Sequence, residues 1–260
     1  MELELWKILI LAVVQGVTEF LPVSSSGHLV ILAALLSGGD TDQLDVADVN
    51  IVLHLGTLGS VLVFYRSQLL ALLTADRQTI IRLIVASIPA AFVGIPIMYF
   101  AKGLLESPLL AGCMLPVTAL VLWLASRMRP GESEYQELSL AKSLAIGVAQ
   151  AFAVLPGLSR SGTTIAAGVA AGLRPKAAAT FSFMMAVIAI GGAGLIESLK
   201  IMKHGLNTAP SSLLIGAAVS FATGLFALAA LMRLLEKGRF AIFSIWCTIS
   251  GVSIIVWQLS

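Results

Sequence analysis

Ten stretches of this chain, near residues 5–20, 26–37, 47–65, 80–101, 108–126, 139–155, 163–173, 177–199, 211–235 and 240–258, are apolar runs punctuated by Gly, Pro and charge. Six of them are long enough to cross a hydrocarbon core of about 30 Å as helices rising about 1.5 Å per residue. Helix is the only option for such lipid-embedded runs, because an open sheet leaves backbone groups unsatisfied where there is no water. Composition agrees: 12% of the residues are charged and 58% apolar, whereas a soluble domain carries about 25% charged residues. The chain cannot coat a globule with charge, and a net charge of +2 gives no grip on nucleic acid. The expectation is one all-α polytopic membrane domain over 1–260, without a soluble appendage.

The four short runs come in two pairs, 5–20 with 26–37 and 139–155 with 163–173. Each pair is joined by a loop rich in Pro, Gly and Ser, so each reads as a re-entrant helix hairpin. The loops resemble each other: LPVSSSG in Leu21 to Gly27 and LPGLSRSG in Leu155 to Gly162, with Gln15 and Gln150 in similar places upstream. Their spacing of about 135 residues marks an internal repeat. Three full crossings follow each hairpin, and an odd number places the halves in opposite orientation. The fold expected is two inverted repeats, 1–130 and 136–260, each a hairpin plus three transmembrane helices, giving six spans and ten helical segments.

On this topology Arg66, Arg77, Arg82, Arg127, Arg129, Lys142, Arg174, Lys176, Arg233, Lys237 and Arg239 share one face. Lys7, Lys102, Lys200 and Lys203 share the other with Asp40, Asp42, Asp45 and Asp48. The positive-inside rule then puts both termini outside the cytoplasm. MELELWK carries two glutamates before its lysine, with no small-residue cleavage site after it, so the first segment reads as retained. Cys113 and Cys247 lie in apolar runs and read as small hydrophobes, neither disulfide-bonded nor metal-bound.

A charge at mid-bilayer costs about 2.5 kcal/mol or more on insertion scales, so it needs a partner or a purpose. Glu19 precedes Phe20, Leu21 and Pro22, followed by Ser24, Ser25, Ser26, Gly27 and His28; Arg160 stands between Ser159 and Ser161, followed by Gly162, Thr163 and Thr164. A carboxylate can bind a divalent cation or accept a proton, and an imidazole can act as nucleophile or general acid. A guanidinium offers planar donors to phosphate, and Ser-Gly loops opening helices present N–H groups to an anion. The combination reads as an anion site with hydrolytic equipment, placed where lipid can enter. Ser24 and Ser25 also suit a helix cap. His54 reads as a hydrogen-bonded packing residue, His204 as a solvated loop residue, and Gly168 with Gly172 as a close-packing pair. Glu197 near Lys200 and Glu236 next to Lys237 read as interfacial charges.

QGVTEFLPVSSSGHL (Gln15 to Leu29) and LPGLSRSGTTI (Leu155 to Ile165) resemble the two signature motifs of the undecaprenyl-diphosphate phosphatase family, also called bacitracin resistance proteins. Length, hydropathy and both motif positions match from end to end. The resemblance implies removal of the terminal phosphate from a C55 isoprenyl diphosphate, recycling the lipid carrier for peptidoglycan and other envelope polymers, in the bacterial inner membrane. It also implies a divalent cation, magnesium or calcium, with Glu19 as the acidic metal or proton-handling residue. Ser25 and His28 match the positions of nucleophile or its assistant, and Arg160 matches the phosphate-binding arginine. Gln15, Ser24, Ser26, Gly27, Ser159, Ser161, Gly162 and Thr164 are the substrate-binding positions. Where many members have glutamate this chain has Gln15, which offers only a neutral ligand or a hydrogen bond.

Two rival readings stand beside this one. Inverted repeats with broken helices are transporter architecture, so the chain could carry or flip an isoprenyl phosphate lipid. It could also be a structural membrane protein, in which case Glu19 and Arg160 matter only for stability. A homo-oligomer stays open, since apolar helix faces look alike against lipid or a second copy.

Overall fold

The structure, a computed structural model, describes residues 4–36, 47–204, 206 and 208–260. The described helices are α1 (Leu5–Phe20), α2 (Ser25–Leu36), α3 (Ala47–Phe64), α4 (Arg66–Leu73), α5 (Arg77–Phe100), α6 (Lys102–Leu105), α7 (Pro108–Arg127), α8 (Leu140–Phe152), α9 (Arg160–Ala170), α10 (Pro175–His204), α11 (Pro210–Glu236) and α12 (Ile242–Leu259). No strand occurs among the described residues beyond an isolated bridge between Ser133 and Leu173. The chain is thus an all-α polytopic membrane protein. Helices α5, α7, α10, α11 and α12 are each long and apolar enough to cross a membrane, and α3 with α4 passes as a pair bent by 75°. These six match the six long runs read from the sequence.

Two helices were not expected. Residues 66–73, opening with Arg66, Ser67 and Gln68, read as a loop, yet form α4 with Leu70 and Leu73 more than 60% exposed. The leucines suit a helix lying at an interface, where one side meets lipid and polar groups meet water. The four-residue α6 is the other addition. Helix α9 also starts three residues earlier than expected, and α10 runs on to His204, expected in a loop. Asp40, Asp42 and Asp45 lie outside the described residues.

Helix starts follow cap chemistry. The hydroxyls of Ser107, Ser139 and Ser159 accept hydrogen bonds from the backbone N–H of Leu110, Lys142 and Gly162, with Pro108 opening α7. Each hairpin is a pair of short helices, α1 with α2 and α8 with α9, broken by a loop at the protein's centre.

The hairpins are held by long helices from the opposite half of the chain. Helix α1 packs on α11, α8 packs on α5, α3 packs on α11 and α10, and α12 packs on α7. Glycines let these backbones touch. A Cβ on Gly16 would overlap Thr223 on α11, and one on Gly147 would overlap the Ala86 carbonyl on α5. Gly168 packs close as expected, since its Cβ would lie 2.8 Å from Ala178 Cβ. The largest core cluster runs through Phe20, Tyr65, Leu115, Leu122, Phe181 and Phe183. Phe20 meets Phe183 edge to face at 5.5 Å, directly beneath the first hairpin loop. By contrast α5 exposes Phe92 and Phe100 at 80% and 90%, which in a bilayer is lipid-facing surface.

At the end of the bundle where α5, α8 and α10 begin, residues 129–139 strap the helices together. Arg174 pairs with Glu134, Lys176 pairs with Glu236, and Arg82 donates to the Leu138 carbonyl at 2.6 Å. Glu236, read beside Lys237, therefore finds its partner on another helix.

Candidate active site

The loop of the first hairpin turns sharply at Ser24, whose φ of 69° lies in the left-handed region that a non-glycine residue seldom occupies. That conformation is held by its hydroxyl, which accepts the N–H of Gly27 at 3.3 Å and, across 133 residues of sequence, the N–H of Gly157 at 3.0 Å. Gly157 is itself left-handed at φ 89°, and a Cβ on Gly27 would lie 2.8 Å from its backbone. The two hairpin tips thus meet backbone to backbone, through one serine and two glycines. Thr118 on α7 fixes the second loop from behind, donating to the Gly157 carbonyl at 2.7 Å and accepting from the Ser159 N–H at 2.9 Å.

This junction brings Glu19 and Arg160 into contact. Glu19 is 5% exposed; one carboxylate oxygen, Oε1, takes a hydrogen bond from the Arg160 guanidinium. The other, Oε2, accepts from Gln15 Nε2 at 3.0 Å and from the Ser25 hydroxyl at 2.5 Å. A lone buried charge would be costly, and here each compensates the other. The pairing leaves Arg160 with a buried nitrogen, Nη1, that has no partner.

Glu19, Ser25 and Arg160 lie on the wall of a cavity of about 1010 Å³. Ser24, Ser26, Ser159 and Ser161 line it too, with apolar walls from α2, α3, α5 and α10. Glu106 and Glu197 line it as well. Because the end of α5, the later half of α10, the start of α3, and Leu105 of α6 with Glu106 after it contribute, the cavity lies toward the end of the bundle opposite the 129–139 strap.

Other expected site residues stand outside the cavity. Gln15 lies behind Glu19 as a buried hydrogen-bond donor. Gly27 makes the tip contact, and Gly162 packs against Leu122 and Pro22. Thr164 bonds Ser182 on α10 at 2.5 Å and its own helix at Arg160, bracing α9. His28 faces the other way: Nδ1 donates to the Ser24 carbonyl at 2.8 Å, and Nε2 accepts from the Trp246 indole at 3.0 Å. Its ring lies nearly parallel to the indole, at 11°, on the outer surface formed with α12.

A different histidine reaches the site. His54 on α3, read from sequence as a packing residue, lines the cavity with Nε2 3.7 Å from Glu19 Oε2. Its Nδ1 donates to the Asn50 carbonyl at 2.7 Å, and Asn50 lines the same wall. A signal was present in the sequence: Asn50, His54 and Thr57 recur at helical spacing within an otherwise apolar run.

The donor set bears on the cation implied by the resemblance. Among the described residues no group of three or more His, Cys, Asp or Glu side chains is placed to hold a metal ion. The carboxylate at the centre is already matched by Arg160 and uses both oxygens. Gln15 Oε1 and Asn50 Oδ1, both buried and without a partner, add two neutral oxygens where calcium or magnesium takes about six. These residues do not fit a resident cation.

Residues 8–253 match the family model described as bacitracin resistance protein BacA. The chain is 42% identical, over 98% of its length and 99% of the relative's, to a protein of Rhodopirellula baltica named undecaprenyl-diphosphatase. Proteins of the same name from Halothermothrix orenii and Bacteroides thetaiotaomicron are 36% and 35% identical, over 98% and 96% of this chain and 98% of each relative.

Proposed function

This chain belongs to the bacitracin resistance protein BacA family, and from that membership and the cavity chemistry we propose that it hydrolyses undecaprenyl diphosphate to undecaprenyl phosphate and inorganic phosphate. The reaction regenerates the lipid carrier of peptidoglycan and envelope polymer synthesis, and it accounts for bacitracin resistance in the family name. The observation that carries the reading is the Arg160 guanidinium. It is held in place by Glu19, lies on the wall of a cavity of about 1010 Å³, and keeps a buried nitrogen with no partner. An unpaired buried donor costs about 1–3 kcal/mol, which an anionic phosphoryl oxygen offsets.

On this reading the diphosphate enters head first, and its isoprenyl tail stays in lipid. Arg160 binds the terminal phosphoryl group and stabilises charge that develops on its equatorial oxygens. Ser25 Oγ attacks phosphorus in line with the bridging oxygen: the Oγ–P bond forms, the P–O bond to the lipid phosphate breaks, and the hydroxyl proton passes to Glu19 Oε2. Ser25 is preferred to His28 as nucleophile because it lies on the cavity wall, whereas both His28 nitrogens are engaged elsewhere. Ser24, Ser26, Ser159 and Ser161 supply further polar contacts to the phosphates. Any divalent cation used by the reaction would have to be supplied with the diphosphate rather than held by these side chains, and would serve there to neutralise phosphate charge.

The halves 1–130 and 136–260 read as inverted repeats, supported by the exchange in which α1 packs on α11 and α8 on α5. The protein sits in the bacterial plasma membrane with both termini extracytoplasmic, and the cavity, at the end opposite the strap and the arginines and lysines that collect around it, faces outside.

The test is phosphate release by the purified full-length protein from a long-chain isoprenyl diphosphate. The unsubstituted protein should release one phosphate per diphosphate, and Arg160→Ala should lower kcat/KM by about 100-fold or more. No release above Arg160→Ala would reject the enzyme. Movement of the lipid across liposomes without release would favour the transporter reading instead.

A further inference from the structure

We propose that Asn50 and His54 hold the water that hydrolyses the phosphoserine formed at Ser25, an assignment that rests on the reading of Ser25 as nucleophile. Neither residue belongs to the two hairpin motifs. Both sit on α3, one turn apart, and both line the cavity.

Their hydrogen-bonding state follows from the surroundings. His54 Nδ1 faces the Asn50 carbonyl at 2.7 Å, so it carries a hydrogen, and in the tautomer with Nδ1 alone protonated Nε2 is an acceptor. Asn50 Oδ1 is a second acceptor, buried and without a partner. Nε2 lies 3.7 Å from Glu19 Oε2, the oxygen that takes the Ser25 hydroxyl at 2.5 Å, which places the imidazole edge beside the nucleophile.

The cavity therefore has two chemically opposite walls. The α9 wall offers a guanidinium donor, and the α3 wall offers two acceptors. A phosphoryl group with only acceptor oxygens is attracted to the first and repelled by the second. A water molecule has the complementary property: two acceptors fix both of its hydrogens and turn a lone pair outward, here toward phosphorus on Ser25. In the second half-reaction the water oxygen–phosphorus bond forms and the P–Oγ bond breaks. One water proton is taken at His54 Nε2, and Ser25 Oγ recovers a proton through Glu19 Oε2, on which both side chains converge. Phosphoserine and water become serine and inorganic phosphate, with no other reactant.

The experiment is rapid-quench labelling of the full-length protein with an isoprenyl diphosphate carrying ³²P in its terminal phosphate, using His54→Leu, Asn50→Leu and His54→Gln. In the two leucine variants the first half-reaction should proceed and the second stall. Labelled Ser25 should accumulate toward one equivalent, with a burst of lipid monophosphate, while steady-state turnover falls by about 100-fold. His54→Gln keeps an acceptor and should recover part of that turnover. Leucine variants that form phosphoserine as slowly as they turn over, or that turn over like the unsubstituted protein, would overturn the assignment. A second measurement needs no substitution: in methanol–water mixtures the native protein should transfer far less phosphate to methanol than its mole fraction, because the water is held in place. Partition equal to the mole fraction would overturn it as well. Undiminished turnover by Ser25→Ala would instead remove the serine reading, and the water site with it.

Discussion

Glu19 and Arg160 illustrate how a buried ion pair divides its work between stability and chemistry. Breaking such a pair strands the remaining charge, at a cost of about 3–5 kcal/mol. Glu19→Ala should therefore lower the melting temperature in detergent as well as abolish turnover, and Glu19→Ala combined with Arg160→Met should melt higher than Glu19→Ala alone. Ser25 and His28 separate differently. Ser25→Ala removes the hydroxyl 2.5 Å from Glu19 and should stop phosphate release. His28→Ala removes a clasp to Ser24 and Trp246, and should lose less activity than Ser25→Ala when both are assayed at saturating substrate. The reverse ranking would restore His28 as nucleophile.

Among the elements, the hairpins are the ones whose local geometry sets function. Ser25, Ser26, Leu29, Val30 and Ala33 line the cavity from α2. At 3.6 residues per turn, His28 lies roughly 130° around the helix from the centre of that face. Its direction was thus available from helical phase, but only once the face meeting the cavity was known. Glu19 and Arg160 were legible because charge in an apolar run is conspicuous. His54 was legible only as one member of the polar stripe with Asn50 and Thr57, because a histidine in a long apolar helix usually finds a backbone carbonyl, as His54 does with Asn50, and nothing in one sequence announces that its other nitrogen meets a hairpin elsewhere. Thr118 was illegible for the same reason: its partners lie about forty residues away in sequence. Helix α4 was missed because its opening polar residues imitate a loop. The tip contact carries a prediction of its own. Gly27→Ala pushes a Cβ into the Gly157 backbone, so it should part the tips and cut activity by about 10-fold or more, since a 1 Å misplacement at a catalytic site can cost about 100-fold. Activity equal to the unsubstituted protein would show that the loops are not in contact.

At the scale of the molecule, six long runs and two short hairpins foretold the architecture, since apolar length is read directly from sequence. How the halves interlock was not foretold, because glycine seams such as Gly16 on α11 and Gly147 on α5 depend on which helices become neighbours. The cavity's orientation is testable in cells after Cys113 and Cys247 are replaced by alanine. A cysteine at Glu106 should react with a membrane-impermeant maleimide in intact cells whose outer membrane is permeable to it, and one at Gln136 in the strap should not; the opposite pattern would invert the topology. The donor set also predicts that magnesium alone leaves the melting temperature unchanged, while magnesium with the diphosphate raises it. A rise with magnesium alone would reveal a resident site. The most direct measurement is a structure with a methylene-bridged isoprenyl diphosphonate, which cannot be cleaved. Its terminal phosphorus should lie between Arg160 Nη1 and Ser25 Oγ, within the cavity; a head group bound anywhere else, or turned so that Ser25 cannot approach phosphorus in line, would contradict the proposed mechanism.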